Sequence, residues 1–454
     1  MKKLLTFFAI FSCISAFAQV KFEKLSLEDA IQKAASAGKI VFTQFVSDKC
    51  DQCNMVADKS FEDAELAKVI GEKCVAIKLE VSSADRQDFI KRYNPTQSMG
   101  TFFISPDGEL IHRYTSTTTR AAEYVAQIDK AFNKITEGKV TLRELNEEWN
   151  NNPNDVAAME ANVNKRTTLG LPTDSLLETY IKRLPTDSLT SVRVLNFIAQ
   201  QAPSIFSKAH EVLHKDQDLF LQAWYAMPLP TRININNRIT YKSMQKAIQQ
   251  KNKSMANATA YFTAGTYKTD PVQGPKAYEK QMLEYYVGIK DTSAYLKQAE
   301  LYFDKYFMTV PAEKIKEQDS LRIKQMLAKA PADTIKDPGN PAKFTIRKGV
   351  NFAPQTQFFT GELNHGAWLL YTSASNENYL KKALTWAKRS LDFYESPEAM
   401  DTYARILYKT GNSGEAIKWQ KRAIEIYKER KFPAKEFEMV LAKMERGEKQ
   451  LDAY

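Results

Sequence analysis

Two cysteines, Cys50 and Cys53, separated by Asp51-Gln52, stand directly after the apolar, β-branched run Lys39-Ile40-Val41-Phe42-Thr43-Gln44-Phe45-Val46. That run has the composition of a buried strand. Beyond the pair, Met55, Val56, Phe61, Leu66, Val69 and Ile70 recur at roughly helical spacing, predicting one helix after the cysteines. A thiol at a strand-to-helix junction lies over the orphan N–H groups of a helix start. There the positive end of the helix dipole favours the thiolate, the reactive species in disulfide exchange. This junction restricts the first part of the chain to an α/β arrangement and points to redox chemistry.

The chain has 454 residues, which exceeds a single compact core and predicts two or three domains. Lys2 and Lys3 precede the apolar run Leu4–Phe17, and Ala16-Phe17-Ala18 has the pattern of a cleavage site, so residues 1–18 read as a signal peptide. Cys13 lacks the small preceding residues of a lipoprotein signal. No later stretch is apolar enough to span a membrane, and the expected location is periplasmic, with secretion as the other exported fate. The formal charge of +10 is spread along amphipathic segments, and no basic–aromatic recognition motif accompanies it. Solvated helix faces explain that charge better than nucleic-acid binding does.

Export leaves Cys50, Cys53 and Cys74. One close pair closes too short a loop to staple a large fold, so redox use explains it better than structural cross-linking. Cys74 opens a second apolar run, Cys74–Leu79, and reads as an inert core thiol. Around these runs the elements alternate: a helix over 26–37 ended by Gly38, the strand 39–46, the Cys50 helix, a strand over 74–81 and a helix over 83–93. Strands 101–105 and 110–114, joined by Pro106-Asp107-Gly108, and a helix over 120–135 complete the segment.

This segment resembles the exported thioredoxin-like domains of envelope bacteria. The residues that carry the resemblance are Phe42-Thr43-Gln44-Phe45, Cys50-Asp51-Gln52-Cys53, Tyr93-Asn94, Ser98-Met99-Gly100-Thr101-Phe102-Phe103 and Pro106-Asp107-Gly108-Glu109. The resemblance implies a thioredoxin fold over residues 19–138, with Cys50 as nucleophile, Cys53 as resolving thiol, and Met99, Gly100 and Thr101 presenting client backbone. It also implies a protein disulfide or dithiol client and a redox partner protein, with no cofactor. Three positions depart from the family. Lys49 replaces the usual tryptophan, Gln44 replaces a buried acid that relays protons to the resolving thiol, and Gly100 replaces the cis-proline facing the disulfide. Lys49 favours the Cys50 thiolate and Asp51 opposes it.

From residue 139 helices dominate. Leu171-Pro172-Thr173-Asp174-Ser175-Leu176 recurs as Leu184–Leu189, and each copy is expected to break one element and cap the next helix. Residues 310–350, rich in Pro, Lys and Asp, read as a long connection or inserted loop. Ala383–Leu391 aligns with Ala416–Ile424 at an offset of 33 residues. Tyr403, Ala404, Leu407, Tyr408 and Gly411 fall where a tetratricopeptide (TPR) unit places comparable residues. Trp386 and Trp419 are expected to fill equivalent pockets. The expected organisation is irregular helix pairs over 139–345 and TPR-like repeats over 346–454, a region suited to protein binding.

His210-Glu211-Val212-Leu213-His214 satisfies HExxH, a zinc-protease signature. Lys208, Lys215 and Asp216 surround it, no third ligand is evident, and an amphipathic helix burying Ala209 and Leu213 accounts for the pattern; no metal site is assigned. The reading is therefore an envelope thiol–disulfide oxidoreductase. Its competitor is a catalytically silent thioredoxin-like and TPR scaffold.

Overall fold

The computed structural model describes residues 19–47, 51–96, 99–136, 141–330, 333–337, 340–347, 352–373, 376–430 and 434–451. The leader and the proposed cleavage site lie outside them, as do Asp48, Lys49 and Cys50. Contacts divide the chain into two compact units, residues 1–242 and 243–454.

In the first unit, helix α1 (Leu27–Ala37) is capped by the Ser26 side chain and closed by Gly38 in the left-handed region. β1 (Ile40–Phe45) is buried along its whole length. Two helices follow rather than one: α2 (Asp51–Phe61) and α3 (Ala64–Lys73). The expected continuous helix breaks because Asp63 turns extended and its carboxylate takes the Leu66 N–H, starting a new helix. Then come β2 (Cys74–Leu79), α4 (Ala84–Tyr93, capped by Ser83), β3 (Gly100–Ile104), β4 (Leu110–Tyr114) and α5 (Ala121–Thr136).

The strands form one sheet in the order β2-β1-β3-β4. β1 runs parallel to β2 and antiparallel to β3, and β4 returns antiparallel to β3. This mixed sheet with its alternating helices is a thioredoxin-like fold, as expected. Because β1 is central, alternate side chains feed two cores. Val41 and Phe45 join Phe89 and Phe102 on one face. Ile40 and Phe42 join Phe61, Phe103 and Tyr124 on the other.

The first core does not end with the sheet domain. Leu169 and Leu171 pack into it, delivered by the helices that follow: α6 (Leu142–Asn151), α7 (Val156–Leu169) and α8 (Asp174–Arg183). α9 (Val192–Gln200), α10 (Lys208–Leu213), α11 (Gln217–Tyr225) and α12 (Leu229–Gln249) come next, and the two units divide within α12. The Leu-Pro-Thr-Asp-Ser-Leu copies behave differently from expectation. Thr173 precedes α8 without capping it. The second copy forms only a 3₁₀ turn, Thr186–Thr190, and Ser191 caps α9 instead.

The second unit continues with α13 (Lys253–Gly265), α14 (Gln273–Gly288), α15 (Thr292–Phe303) and α16 (Ala312–Lys329). A β5–β6 hairpin, Asp333–Asp337 with Asn340–Arg347, precedes α17 (Gln355–Ser373). The expected long connection over 310–350 is thus largely a helix and a hairpin. α16 has a structural role: the Asp319 carboxylate accepts the Gln355 and Thr356 N–H groups at 2.9 Å each, capping α17 from a neighbouring helix.

α18 (Glu377–Phe393), α19 (Pro397–Lys409), α20 (Ser413–Glu429) and α21 (Lys435–Glu445) complete the unit as packed helix pairs. Ala383, Ala404, Ala416 and Ala423 are fully buried between them, as close helix approach requires. The aligned tryptophans are not equivalent. Trp386 is fully buried and donates Nε1–H to Asp304, whereas Trp419 is half-buried and donates to the exposed Glu415. The buried centre of these pairs is ionic. Arg405 is wholly enclosed, with Nε 2.7 Å from Asp401 and Nη1 2.7 Å from the Leu451 carbonyl. Gln420 donates to the second Asp401 oxygen at 2.7 Å.

Candidate active site at the end of the central strand

The candidate site begins where β1 leaves the sheet. Phe45 is the last strand residue and α2 starts at Asp51, immediately after Cys50. Ser47, two residues beyond the strand, is pinned by Asn54. Its Oδ1 accepts the Ser47 N–H and its Nδ2 donates to the Ser47 carbonyl, both at 2.8 Å. One side chain thereby holds both backbone groups of the residue leaving the strand, and fixes the first turn of α2 against it. Nothing in hydrophobic periodicity marks Asn54; its position directly after the second cysteine is the only signal.

Cys53 sits in this first turn, half-buried and disulfide-bonded. Cys50, the expected nucleophile, lies outside the described residues. Cys74 is different in every respect: it is a free thiol, buried, and burial pushes its pKa up to about 12. Such a thiol stays protonated at any physiological pH and is inert.

A second anchor comes from α4. Arg86 is only 8% exposed, and its Nη1 donates to the Val46 carbonyl at 2.6 Å. The guanidinium lies 5.1 Å from the centre of the Phe45 ring. A fixed positive charge therefore stands at the end of the strand that leads to the cysteines. Sequence reading missed it, because one arginine on an otherwise polar helix face carries no distinguishing pattern.

Gln44, which the resemblance sets where thioredoxins carry a buried acid, is 4% exposed. Its Oε1 accepts the Thr101 hydroxyl at 2.6 Å and its Nε2 donates to the Phe45 carbonyl at 3.2 Å. Both halves of the amide are engaged, so this is a neutral, satisfied polar pair with no titratable proton. Thr101 is fully buried and its hydroxyl is committed to Gln44.

Gly100 pairs with Phe45 across β1 and β3, which places it beside the end of the central strand. Its φ is +87°, and a Cβ there would meet the Tyr114 carbonyl at 2.3 Å. Neither proline nor any other side chain fits, because β4 approaches too closely and the backbone is left-handed. Among the described residues no peptide bond is cis. Of Met99, Gly100 and Thr101, Met99 alone presents its side chain to solvent, 38% exposed.

The HExxH histidines are placed on the short α10, with His214 already at its C-cap. Their rings lie 4.5 Å apart, and His214 also packs on Phe220 at 4.2 Å. Burial, then the neighbouring His214, lowers the His210 pKa to about 4. Glu211 points away into an exposed ion pair with Lys208. Among the described residues no group of His, Cys, Asp and Glu is arranged to hold a metal ion.

At the opposite end of the sheet, the β3–β4 hairpin and α6–α7 enclose a cleft of about 420 Å³, with Arg92, Arg143, Arg166, Asp107 and Glu109 on its walls. Arg143 pairs with Asp107 and Arg92 with Glu28, each at 3.0 Å, while Arg166 donates to the neutral amides of Asn162 and Asn146. Among the described residues no helix is long and apolar enough to cross a membrane.

No curated protein matches the chain. Residues 16–167 match the sequence model of the Thioredox_DsbH family, described as a protein of unknown function, DUF255, so the first part of this chain is thioredoxin-like in sequence as it is in fold.

Proposed function

We propose that the thioredoxin-like domain exchanges disulfides with a protein client through Cys50 and Cys53. The observation that carries this reading is the position of Cys53: disulfide-bonded, in the first turn of a helix that follows the central strand. Cys74 is a buried free thiol, which makes Cys50 the natural partner within the motif. Helix-start geometry and the nearby Arg86 both favour a thiolate at this end of the sheet.

In the reducing direction, the Cys50 thiolate attacks one sulfur of a client disulfide. That S–S bond breaks, a client thiolate leaves, and a Cys50–client disulfide forms. The Cys53 thiolate then attacks Cys50 Sγ, releasing the second client thiolate and closing the Cys50–Cys53 disulfide. The client gains two electrons and the pair loses two, which a dithiol redox partner protein restores. With Gln44 unable to relay a proton, the Cys53 proton must leave to solvent or to the departing thiolate. A slow or specialised exchanger is expected.

The leader-like N-terminus, together with the persistence of disulfides in oxidising compartments, supports an envelope location in the periplasm. The α18–α21 helix pairs, spaced by the 33-residue offset, support a TPR-like role in holding the client. The scaffold reading draws on the neutral Gln44–Thr101 pair and on Gly100. Trapping separates the two. Cys53→Ala should accumulate a mixed disulfide between Cys50 and a client, absent in the Cys50→Ser/Cys53→Ala double variant. A scaffold would show no Cys50-dependent adduct and no Cys50-dependent turnover of a disulfide substrate.

A further inference from the structure

A second charged cluster in the first unit takes no part in disulfide chemistry. Arg113, on β4, lays its guanidinium over the backbone of Gly170: a Cβ at Gly170 would stand 1.8 Å from Arg113 Nη1. That nitrogen is buried and has no hydrogen-bond partner among the described residues. Two more cations come from successive turns of α12. Arg238 donates to the Gln200 and Gln201 carbonyls at 2.9 and 3.3 Å, and Lys242 reaches the same Gln201 carbonyl at 3.0 Å. Ala202, buried and left-handed at φ 52°, turns the chain directly after those two carbonyls.

Compensation is incomplete. The acidic group facing the cluster is Asp174, 3.5 Å from Lys242 and itself in the first turn of α8, where the helix dipole also stabilises it. The carbonyl end of α9 supplies a further partial negative charge. Among the described residues three cations thus face one carboxylate, a helix terminus and the Thr173 hydroxyl, which accepts from Lys242 at 3.3 Å. All three pKa values are lowered, first by burial. Arg238 is lowered further by the charge of Arg113, and Lys242 by that of Arg238, against the opposing pull of Asp174.

The cluster is tied to the loop that leads into Gly100. Thr96 donates both its N–H and its hydroxyl to the Gly170 carbonyl, each at 2.7 Å. Tyr241, between Arg238 and Lys242 on α12, donates to the Thr96 carbonyl at 3.0 Å. β4 runs from the hairpin end toward Tyr114, which pairs with Thr101. Arg113 itself pairs with Phe102, two residues along β3 from Gly100.

We propose that Arg113, Arg238 and Lys242 form a binding site for an oxyanion of the carboxylate, sulfate or phosphate class. Such a ligand supplies the acceptor that Arg113 Nη1 lacks and offsets a concentration of desolvated positive charge. It comes either as a free small anion or as an acidic side chain of a docked polypeptide.

The test uses the full chain in its oxidised form, titrated with sodium sulfate against chloride at constant ionic strength, and read by calorimetry and by the thermal midpoint. It requires no turnover, so it succeeds or fails independently of the exchange reading. Saturable binding is expected, weakened about tenfold in Arg238→Gln or Lys242→Met and unchanged in the surface variant Lys33→Met. These α12 variants avoid disturbing the Arg113–Gly170 packing. A short glutamate-containing peptide and its glutamine counterpart distinguish the sources: a preference for the glutamate peptide identifies an acidic side chain, and sulfate binding without that preference identifies a free anion. The proposal is overturned if neither probe binds saturably, or if binding survives unchanged in Arg238→Gln and Lys242→Met.

Discussion

Each unit buries a polar group at a place that matters, and the two are built on opposite principles. Beneath the end of β1, Gln44 and Thr101 form a neutral pair with every amide atom occupied. Between α19 and α20, Arg405 and Asp401 form an enclosed ion pair that also grips Gln420 and the Leu451 carbonyl. An enclosed ion pair fixes geometry strongly, because losing either member strands a charge in a low dielectric. A neutral pair fixes geometry weakly and adds no proton chemistry. The helical region is thus held by an enclosed ion pair, while the end of β1 carries no titratable group at Gln44.

Arg405→Met is expected to destabilise the second unit by about 3–5 kcal/mol in urea unfolding, since Asp401 remains buried without its cation. The double variant Arg405→Met/Asp401→Leu should recover much of that loss. If the single variant costs under about 1 kcal/mol, the pair is not what holds α19.

Acid should act on the first unit through histidines held neutral. His112 bonds Gln127 through Nε2 at 2.8 Å and faces Lys134 through Nδ1 at 3.3 Å. Burial is the main cause lowering its pKa to about 4, and Lys134 adds to it against the opposing Gln127 hydrogen bond. His210 is lowered to a similar value. The depressed folded value means that protonation favours the unfolded chain. Stability is therefore full above about pH 6.5 and falls as pH drops toward about 4, by about 1–3 kcal/mol per histidine. His112→Gln should flatten that part of the pH dependence; an unchanged slope contradicts it.

Asn54→Ala removes both bonds to Ser47 and should cost about 1–3 kcal/mol, with a matching fall in any Cys50-dependent turnover. The smallest effect is expected of Thr101→Val, about 1 kcal/mol, because it strands only one amide oxygen of Gln44. An effect as large as that of Arg405→Met would erase the contrast between the two buried pairs.

Much of the sheet domain was legible in the sequence because its signals are local. The unbroken apolar run of β1, Gly38 after α1, Ser83 before α4 and the Asp107-Gly108 turn each act within a few residues. One misreading was local: Asp63 caps the Leu66 N–H and broke a helix whose apolar spacing continued across it. The others share a cause in distance. α16 and the β5–β6 hairpin were hidden by a polar composition, although Asp319 works by capping a helix 36 residues onward. Trp386 and Trp419 share a sequence register, but Asp304 and the surrounding core enclose only the first. At the candidate site the cysteine motif and the glycine were readable. The Asn54 clamp and the Arg86 anchor were not, since both depend on where a backbone carbonyl ends up in space.

In the proposed exchange Cys50, the residue directly before α2, acts as an activated nucleophile. Alkylation of the reduced protein across pH, followed residue by residue by mass spectrometry, tests it most directly. Cys50 is expected to react with a midpoint clearly below the free-cysteine value of about 8.5, while Cys74 stays unmodified until the protein unfolds. A Cys50 midpoint at or above that value would contradict it and leave the domain an architectural module.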